Sequence, residues 1–282
     1  MQQFIKLGIY LLSAFCGTGC ESTAVDAPSK KGDNLLLGNP SNATTNVGDF
    51  NNFLLAQGQY TISYNKDKGI PNWVSWHLSP VWMGSAARQD DFRQNDQLPA
   101  GWYKVQGTDY QGSGFDRGHN CPSADRTKTV ADNSATFLMT NICPQAPTHN
   151  QNMWNNFEQY TRKLIDQGNE AYIIMGNYGK GGTGSSGRKT TINNGKITVP
   201  AHIFKIILVL PNGENDISRI TKTIRVIAVD TPNDEAAGTD DWGNYRTTVD
   251  AIEAATGFNF FAKIPEDIQL ALEKKTDTGT TK

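Results

Sequence analysis

Residues 116–119 read Asp-Arg-Gly-His, and no other stretch restricts so closely what this chain can fold into. A carboxylate, a guanidinium, a glycine and an imidazole in a row give a helix or strand nothing to bury. Such a run belongs where its side chains meet solvent or a ligand. Downstream stand Asn141, then Pro144 and Gln145, then a polar block from His149 to Glu158 that contains Asn150, Gln151 and Asn152. The spacing predicts a helix over residues 150–165, with Trp154, Phe157, Leu164 and Ile165 turned inward and Gly168 closing it. Imidazole, amide oxygen, carboxylate and arginine together are the parts of a metal-assisted phosphodiester cleavage site.

Around this block the chain reads as one α+β domain with a central, mainly antiparallel sheet flanked by helices. Residues 59–64 and 73–78 alternate like strands on either side of a turn-prone 65–71. Residues 84–101 are polar and loop-like, and carry Arg88 and Arg93. Buried strands are expected at 137–142 and 171–176, central β-branched strands at 202–210 and 223–229, and a short helix within 240–256. Residues 177–196 are rich in Gly, Ser, Thr and Asn and predict a mobile surface loop. No Gly-Lys-Ser/Thr follows a strand there, which excludes a P-loop. The domain is expected over residues 34–270, after a flexible tether at 21–33 and before a disordered tail at 271–282.

The first twenty residues have the composition of an export signal: Lys6, an apolar run over 7–15, then Gly17 and Gly19 before Cys20. The apolar run is too short to span a bilayer. Cys20 resembles a lipoprotein acceptor, although the leucine usual three positions earlier is absent, so lipid anchoring at Cys20 and simple cleavage both stay open. A periplasmic, membrane-anchored or secreted location is expected. Two cysteines remain beyond the leader, Cys121 and Cys143. In an exported protein a single disulfide between them is expected, since adjacent antiparallel strands would bring them together.

With 26 basic and 28 acidic residues the formal net charge is −2, which argues against tight nucleic-acid binding by overall charge but not against a nuclease. A local cleft built from Arg88, Arg93, Arg117, Arg126 and Arg162 would suffice for a nucleic-acid substrate. His119 is the candidate general base, its ordinary pKa near ~6.5 leaving it largely neutral, with a backbone carbonyl from 137–142 fixing its tautomer. Asn150 offers an amide oxygen suited to a hard cation, and by sequence alone would equally suit a helix N-cap. Glu158 follows eight residues later, ~12 Å along an ideal helix and ~80° round it, which argues against both ligating one ion directly. His149 reads as a helix-start surface residue. His77 and His202 have no partner in sequence, and Trp73 and Trp76 read as core.

Taken with Asn72 to Trp76, residues 88–93, 122–129 and 137–141, these motifs resemble the DNA/RNA non-specific endonuclease family of the ββα-metal (His-Me finger) superfamily, from about residue 34 to 267. The resemblance implies a ββα-metal finger and an exported endonuclease hydrolysing DNA and RNA to 5′-phosphate products with one Mg²⁺ or Mn²⁺. It implies His119 as base and Asn150 as the metal's protein ligand, with Asp116 and Glu158 holding metal-bound waters. Arg88, Arg117 and Arg162 would meet phosphate. A catalytically silent nucleic-acid-binding lipoprotein of the same fold is the alternative, and a phosphatase acting on small esters a second. Oligomeric state and a protective inhibitor protein stay open.

Overall fold

A computed structural model describes residues 33–282; the expected export signal, Cys20 and nearly all of the expected tether lie outside the described residues. Strands β1 (Phe53–Ala56), β2 (Thr61–Asn65) and β3 (Ile70–Leu78) form an antiparallel meander. A long segment then carries β4 (Asp116–His119), α1 (Val130–Ala135) and β5 (Ile142–Gln145). One turn of π-helix, His149–Trp154, runs directly into α2 (Asn155–Asp166), which returns the chain to β6 (Asn169–Tyr178). Four short strands follow: β7 (Gly182–Gly184), β8 (Gly187–Lys189), β9 (Thr191–Ile192) and β10 (Ile197–Thr198). After them come β11 (His202–Pro211), α3 (Asp216–Arg219), β12 (Arg225–Pro232), β13 (Arg246–Thr247), α4 (Val249–Thr256) and α5 (Glu266–Glu273).

Seven of the strands form one sheet in the order β1-β2-β3-β6-β11-β12-β13, antiparallel at every step. Its middle strands are apolar on both sides because both faces are covered. Val74, Trp76, Ile173, Met175, Ile203 and Ile207 pack in one core with Phe157, Leu164 and Ile165 of α2. Trp73, Tyr172, Ile174, Phe204, Ile206 and Leu208 pack in a second core with Val249 and Ile252 of α4 and Leu272 of α5. The two-residue alternation assigns each side chain to its face. Trp73 and Trp76 are fully enclosed, as core residues rather than base-stacking platforms.

Three expectations change. Residues 137–142 are not one strand: Met139–Asn141 curl into a 3-10 turn and the strand begins at Ile142. The cause is Asn141, whose side chain accepts from the Cys121 N–H (2.9 Å) and donates to the Cys121 and Thr136 carbonyls (2.9 Å each). Residues 177–196 are two short hairpins, β7–β8 and β9–β10, with Ile192 and Ile197 buried, rather than a featureless loop. The tail is anchored: α5 runs to Glu273, and Asp277 is buried, accepting from Arg225 at 2.8 Å and pairing with Arg246 at 3.5 Å.

Candidate active site

β4 and β5 form a separate two-stranded ribbon, and the helix that follows completes a ββα unit. Its register pairs Asp116 with Gln145 and His119 with Ile142. Asp116 therefore stands at the end of the ribbon from which the helix starts. There its Oδ2 accepts from Asn150 Nδ2 and from Gln151 Nε2, both at 2.9 Å. With the NH₂ end of the Asn150 amide committed to Asp116, the carbonyl oxygen is the free end. The backbone N–H of Asn150 donates to Ala146 at 2.9 Å, so the residue is not an N-cap.

Gly118 is required by close approach. A β-carbon there would lie 2.2 Å from Gln145 Oε1 and 2.6 Å from Gln145 Cβ. Gln145 in turn donates to His149 Nδ1 at 2.7 Å, and His149 Nε2 reaches Thr231 Oγ1 at 2.8 Å. His149, expected at the surface, is thus fully buried and stacked on Trp154 at 5.2 Å. Its neighbours hold the start of the helix from the far end of the chain. The Ala146 N–H donates to Asn233 (2.8 Å), the Thr148 N–H to Glu235 (3.1 Å), and Gly238 leaves room for the Thr148 backbone, 2.2 Å from where a β-carbon would sit.

The cavity beside this ribbon measures about 540 Å³ and opens to solvent between Arg88, Phe92, Arg117, Asp116 and Asn150, with Gln106, Gly107, Thr108, Tyr110 and Gln111 from the 106–111 segment as a further wall. Arg117 lies 4.0 Å over the Phe92 ring, exposed and without an ion pair among the described residues. Arg88 packs over Phe137 (4.9 Å) and donates to Ser123 and Asp90. His119 stands behind Phe92 (5.4 Å) and edge-on to Phe137 (4.9 Å). Its Nε2 is enclosed with no hydrogen-bond partner, a status Nδ1 does not share. The carbonyl expected to fix its tautomer is therefore not in contact, and aromatic packing orients the ring instead. Burial, followed by the positive charges of Arg88 and Arg117, pushes its pKa down to about 3, so the imidazole is neutral at ordinary pH.

Glu158 and Arg162 do not line the cavity. They belong to a four-charge group with Asp125 and Lys205 on the inner side of α2: Arg162 to Asp125 at 2.9 Å, Glu158 to Lys205 at 3.4 Å. Lys205 is buried on β11, its ammonium 4.7 Å from the Trp154 ring and 5.6 Å from that of Phe157. Burial raises the Glu158 pKa while Lys205 opposes that shift. Arg162, expected on phosphate, has its guanidinium turned to Asp125. Arg126, expected in the cleft, is fully buried and donates to the Gln59, Asp125 and His77 carbonyls over the Trp82 ring. Arg93 is taken up by Asp91 and the Ser134 carbonyl.

The expected Cys121–Cys143 bridge is absent: both are buried free thiols. The ribbon register sets Cys143 opposite Gly118 rather than Cys121, and burial pushes both thiols up to about 12. His77 and His202 do have partners, Glu170 at 3.0 Å and Asp230 at 3.3 Å, each from a neighbouring strand. The sequence assigned no individual role to Phe92, Gln151, Lys205 or the 106–111 segment. Only Gln151, next to Asn150, carried a local signal.

Residues 37–267 match the sequence profile of the DNA/RNA non-specific endonucleases. The chain is similar to a nuclease of Nostoc sp. (strain PCC 7120), 44% identical over 96% of this chain and 98% of that one. It is also similar to human mitochondrial endonuclease G, 30% identical over 75% of this chain and 70% of that one. Nuclease C1 of Cunninghamella echinulata is 29% identical over 82% of this chain and 88% of its own. Among solved structures, a chain of the EndoG/EndoGI inhibition complex superposes with a TM-score of 0.68 at 22% identity, covering 84% of this chain and 94% of that one.

Proposed function

The chain belongs to the DNA/RNA non-specific endonuclease family, and from that premise we propose that it is an exported enzyme cutting DNA and RNA at the cavity between Arg88, Arg117 and Asn150. The observation that carries this reading is the Asn150 amide, whose Nδ2 is bound by Asp116 so that its oxygen is the free end in a cavity that Arg88 and Arg117 also line. That donor set fits a hard divalent cation, Mg²⁺ or Mn²⁺: one amide oxygen, with the Asp116 carboxylate beside it to accept from the cation's waters. When bound, the ion supplies Lewis-acid stabilisation of the departing 3′ oxygen, leaving 5′-phosphate products.

The chain's own residues do the rest. His119 accepts the proton of the attacking water, with Nδ1 as the nitrogen not enclosed by protein. Arg117 and Arg88 present guanidinium forks to the phosphate oxygens, where the transition state gains charge. Glu158, held by Lys205, supports the inner side of the helix that bears Asn150. Contacts of this kind address phosphate rather than base edges, which accounts for a lack of sequence preference. Cys20 would carry the lipid if the exported protein is anchored. An inhibitor protein, as in the EndoG/EndoGI complex, would act by covering the open cavity.

Incubation of the purified protein with supercoiled plasmid and Mg²⁺, and in parallel with EDTA, tests the reading. Linear and smaller fragments only in the first tube are expected. Intact plasmid in both, with retained gel shift, would establish the silent binder instead. Intact plasmid with hydrolysis of a small phosphate ester would establish the phosphatase.

A further inference from the structure

One side of the cavity wall continues into a strip of rings and ammonium groups that the cleavage step does not use. Asp109, between the cavity-lining Thr108 and Tyr110, accepts from the backbone N–H of cavity-lining Gln106 at 2.8 Å and from the Tyr103 hydroxyl at 2.7 Å. Tyr103 is followed outward by Lys196, whose ammonium lies 4.6 Å from its ring, and by Asn193, which donates to its hydroxyl at 2.7 Å. On the other side Trp102 is neighboured by Lys66 at 5.9 Å, and the same ammonium lies 5.1 Å from the Phe50 ring. Phe50 and Tyr103 are 40% and 37% exposed, among the few large apolar side chains that meet water.

The strip is built, not a chance meeting of loose side chains. Four separate segments form it, and backbone hydrogen bonds tie three of them together: Lys66 N–H to the Phe50 carbonyl (2.9 Å) and Thr198 N–H to the Lys68 carbonyl (2.8 Å). Trp102 is fixed edge-on to Phe53 at 5.1 Å. Of the nearby carboxylates, Asp96 is paired with Lys104, Asp67 is bound by Asn51, and Asp109 by Tyr103. Lys66 and Lys196 have no carboxylate partner among the described residues.

We propose that Phe50, Lys66, Trp102, Tyr103 and Lys196 form an extended binding surface for a single strand of nucleic acid leaving the cavity, with bases against the rings and phosphates at the two lysines. The chemistry favours a single strand, because stacking needs base faces that a duplex keeps hidden, while every base offers a face whatever its identity. Continuity with the cavity wall, from Tyr103 through Asp109 to the lining residue Gln106, gives the direction. The surface rests on the nuclease reading above and deepens it: long flexible substrates gain contacts that short ones cannot reach.

The test compares a 30-nucleotide single strand with bis(p-nitrophenyl) phosphate, a diester too small to leave the cavity, for the parent, Tyr103→Ala, Tyr103→Phe and the double variant Lys66→Gln/Lys196→Gln. Tyr103→Ala should raise KM for the oligonucleotide roughly 5- to 150-fold, the range of one lost stacking contact, and leave the small diester unchanged. Tyr103→Phe, which keeps the ring, should stay near the parent. Loss of two phosphate contacts in the lysine double variant should flatten the dependence of log KM on log salt by about 1.4. An unchanged oligonucleotide KM in both Tyr103→Ala and the lysine variant overturns the proposal. So does an equal loss on both substrates. A parent that cleaves neither substrate overturns the nuclease reading itself, which separates the two failures.

Discussion

Asp116 and Asn150, 34 residues apart in sequence, are joined by a 2.9 Å hydrogen bond in which the carboxylate chooses which end of the amide faces outward. A free asparagine presents oxygen and nitrogen alike; this one presents oxygen. The second amide on the same carboxylate, from Gln151, removes a competing donor from the cavity mouth.

That relationship separates three variants. Asp116→Ala frees the amide to rotate and should weaken Mn²⁺ binding by about 10- to 100-fold, as loss of support around a ligand does. Asn150→Ala should weaken Mn²⁺ binding at least as far and lower the cleavage rate with it. His119→Ala should cut the rate by about 10²- to 10⁴-fold and leave Mn²⁺ affinity near that of the parent. Calorimetric Mn²⁺ titration beside plasmid cleavage reads all three; a His119→Ala protein active at parental rate would remove His119 from the mechanism.

Glu158→Ala should behave differently from any of these, because Lys205 loses its nearest carboxylate while buried among rings. Removing one partner of a buried pair typically costs about 3–5 kcal/mol. A lowered urea midpoint should therefore accompany reduced activity, whereas Asn150→Ala should lose activity with little change in midpoint. Replacing both partners, as in Glu158→Gln/Lys205→Met, should recover much of the lost stability.

Gly118→Ala adds only a methyl group, yet that group would meet the Gln145 side chain at 2.2 Å. Displacing Gln145 also disturbs its bond to His149. A destabilisation of about 1–3 kcal/mol is expected, as for overpacking elsewhere, with a fall in melting temperature as the readout. Combining Gly118→Ala with Gln145→Ala should relieve the steric part.

The acid response should not follow ordinary histidine chemistry. His119 and His149 are each held down to about 3, in both cases chiefly by burial. Their neutral forms contribute stability that is fully present above the unfolded value of about 6.5 and is lost as pH falls from there toward 3. Glu273, raised to about 7 by burial, acts with opposite sign between about 4.5 and 7. Imidazole NMR between pH 8 and 5 isolates the histidines. Two rings should stay neutral, while His202, raised by its bond to Asp230, should protonate first. The acid limb of activity should accordingly lie below pH 6; an inflection at 6.5 belonging to His119 would contradict its enclosure.

Much of this was legible in the sequence where the signal is local. Two-residue alternation marks β2 and β3, a continuous apolar run marks β6, and the apolar spacing marks α2, because each reports its own burial. The ribbon was placed early: β5 starts at Ile142 because Asn141 bends the preceding turn, and a side-chain clamp leaves no periodic trace. His149 looked exposed among polar neighbours, since its partner Thr231 lies 82 residues away. Arg126 and Arg162 have the composition of a cleft and the geometry of struts, their acceptors being supplied by distant turns. The cavity residues Asp116, Arg117 and Asn150 were found because their chemistry is concentrated in two short blocks; Phe92 and the 106–111 wall act by shape, which composition does not encode.

The seat of the Asn150 turn is made late. Thr231, Asn233, Glu235 and Gly238 hold residues 146–149 in place, so a growing chain that has already exposed Asp116, His119 and Asn150 still lacks the groups that fix the turn. A ribosome has some ninety residues left to add after Asn150 before Gly238 arrives, several seconds at ordinary rates of synthesis. Until then residues 146–149 have no seat, and a chain cut short of residue 231 lacks all four groups that hold the Asn150 turn.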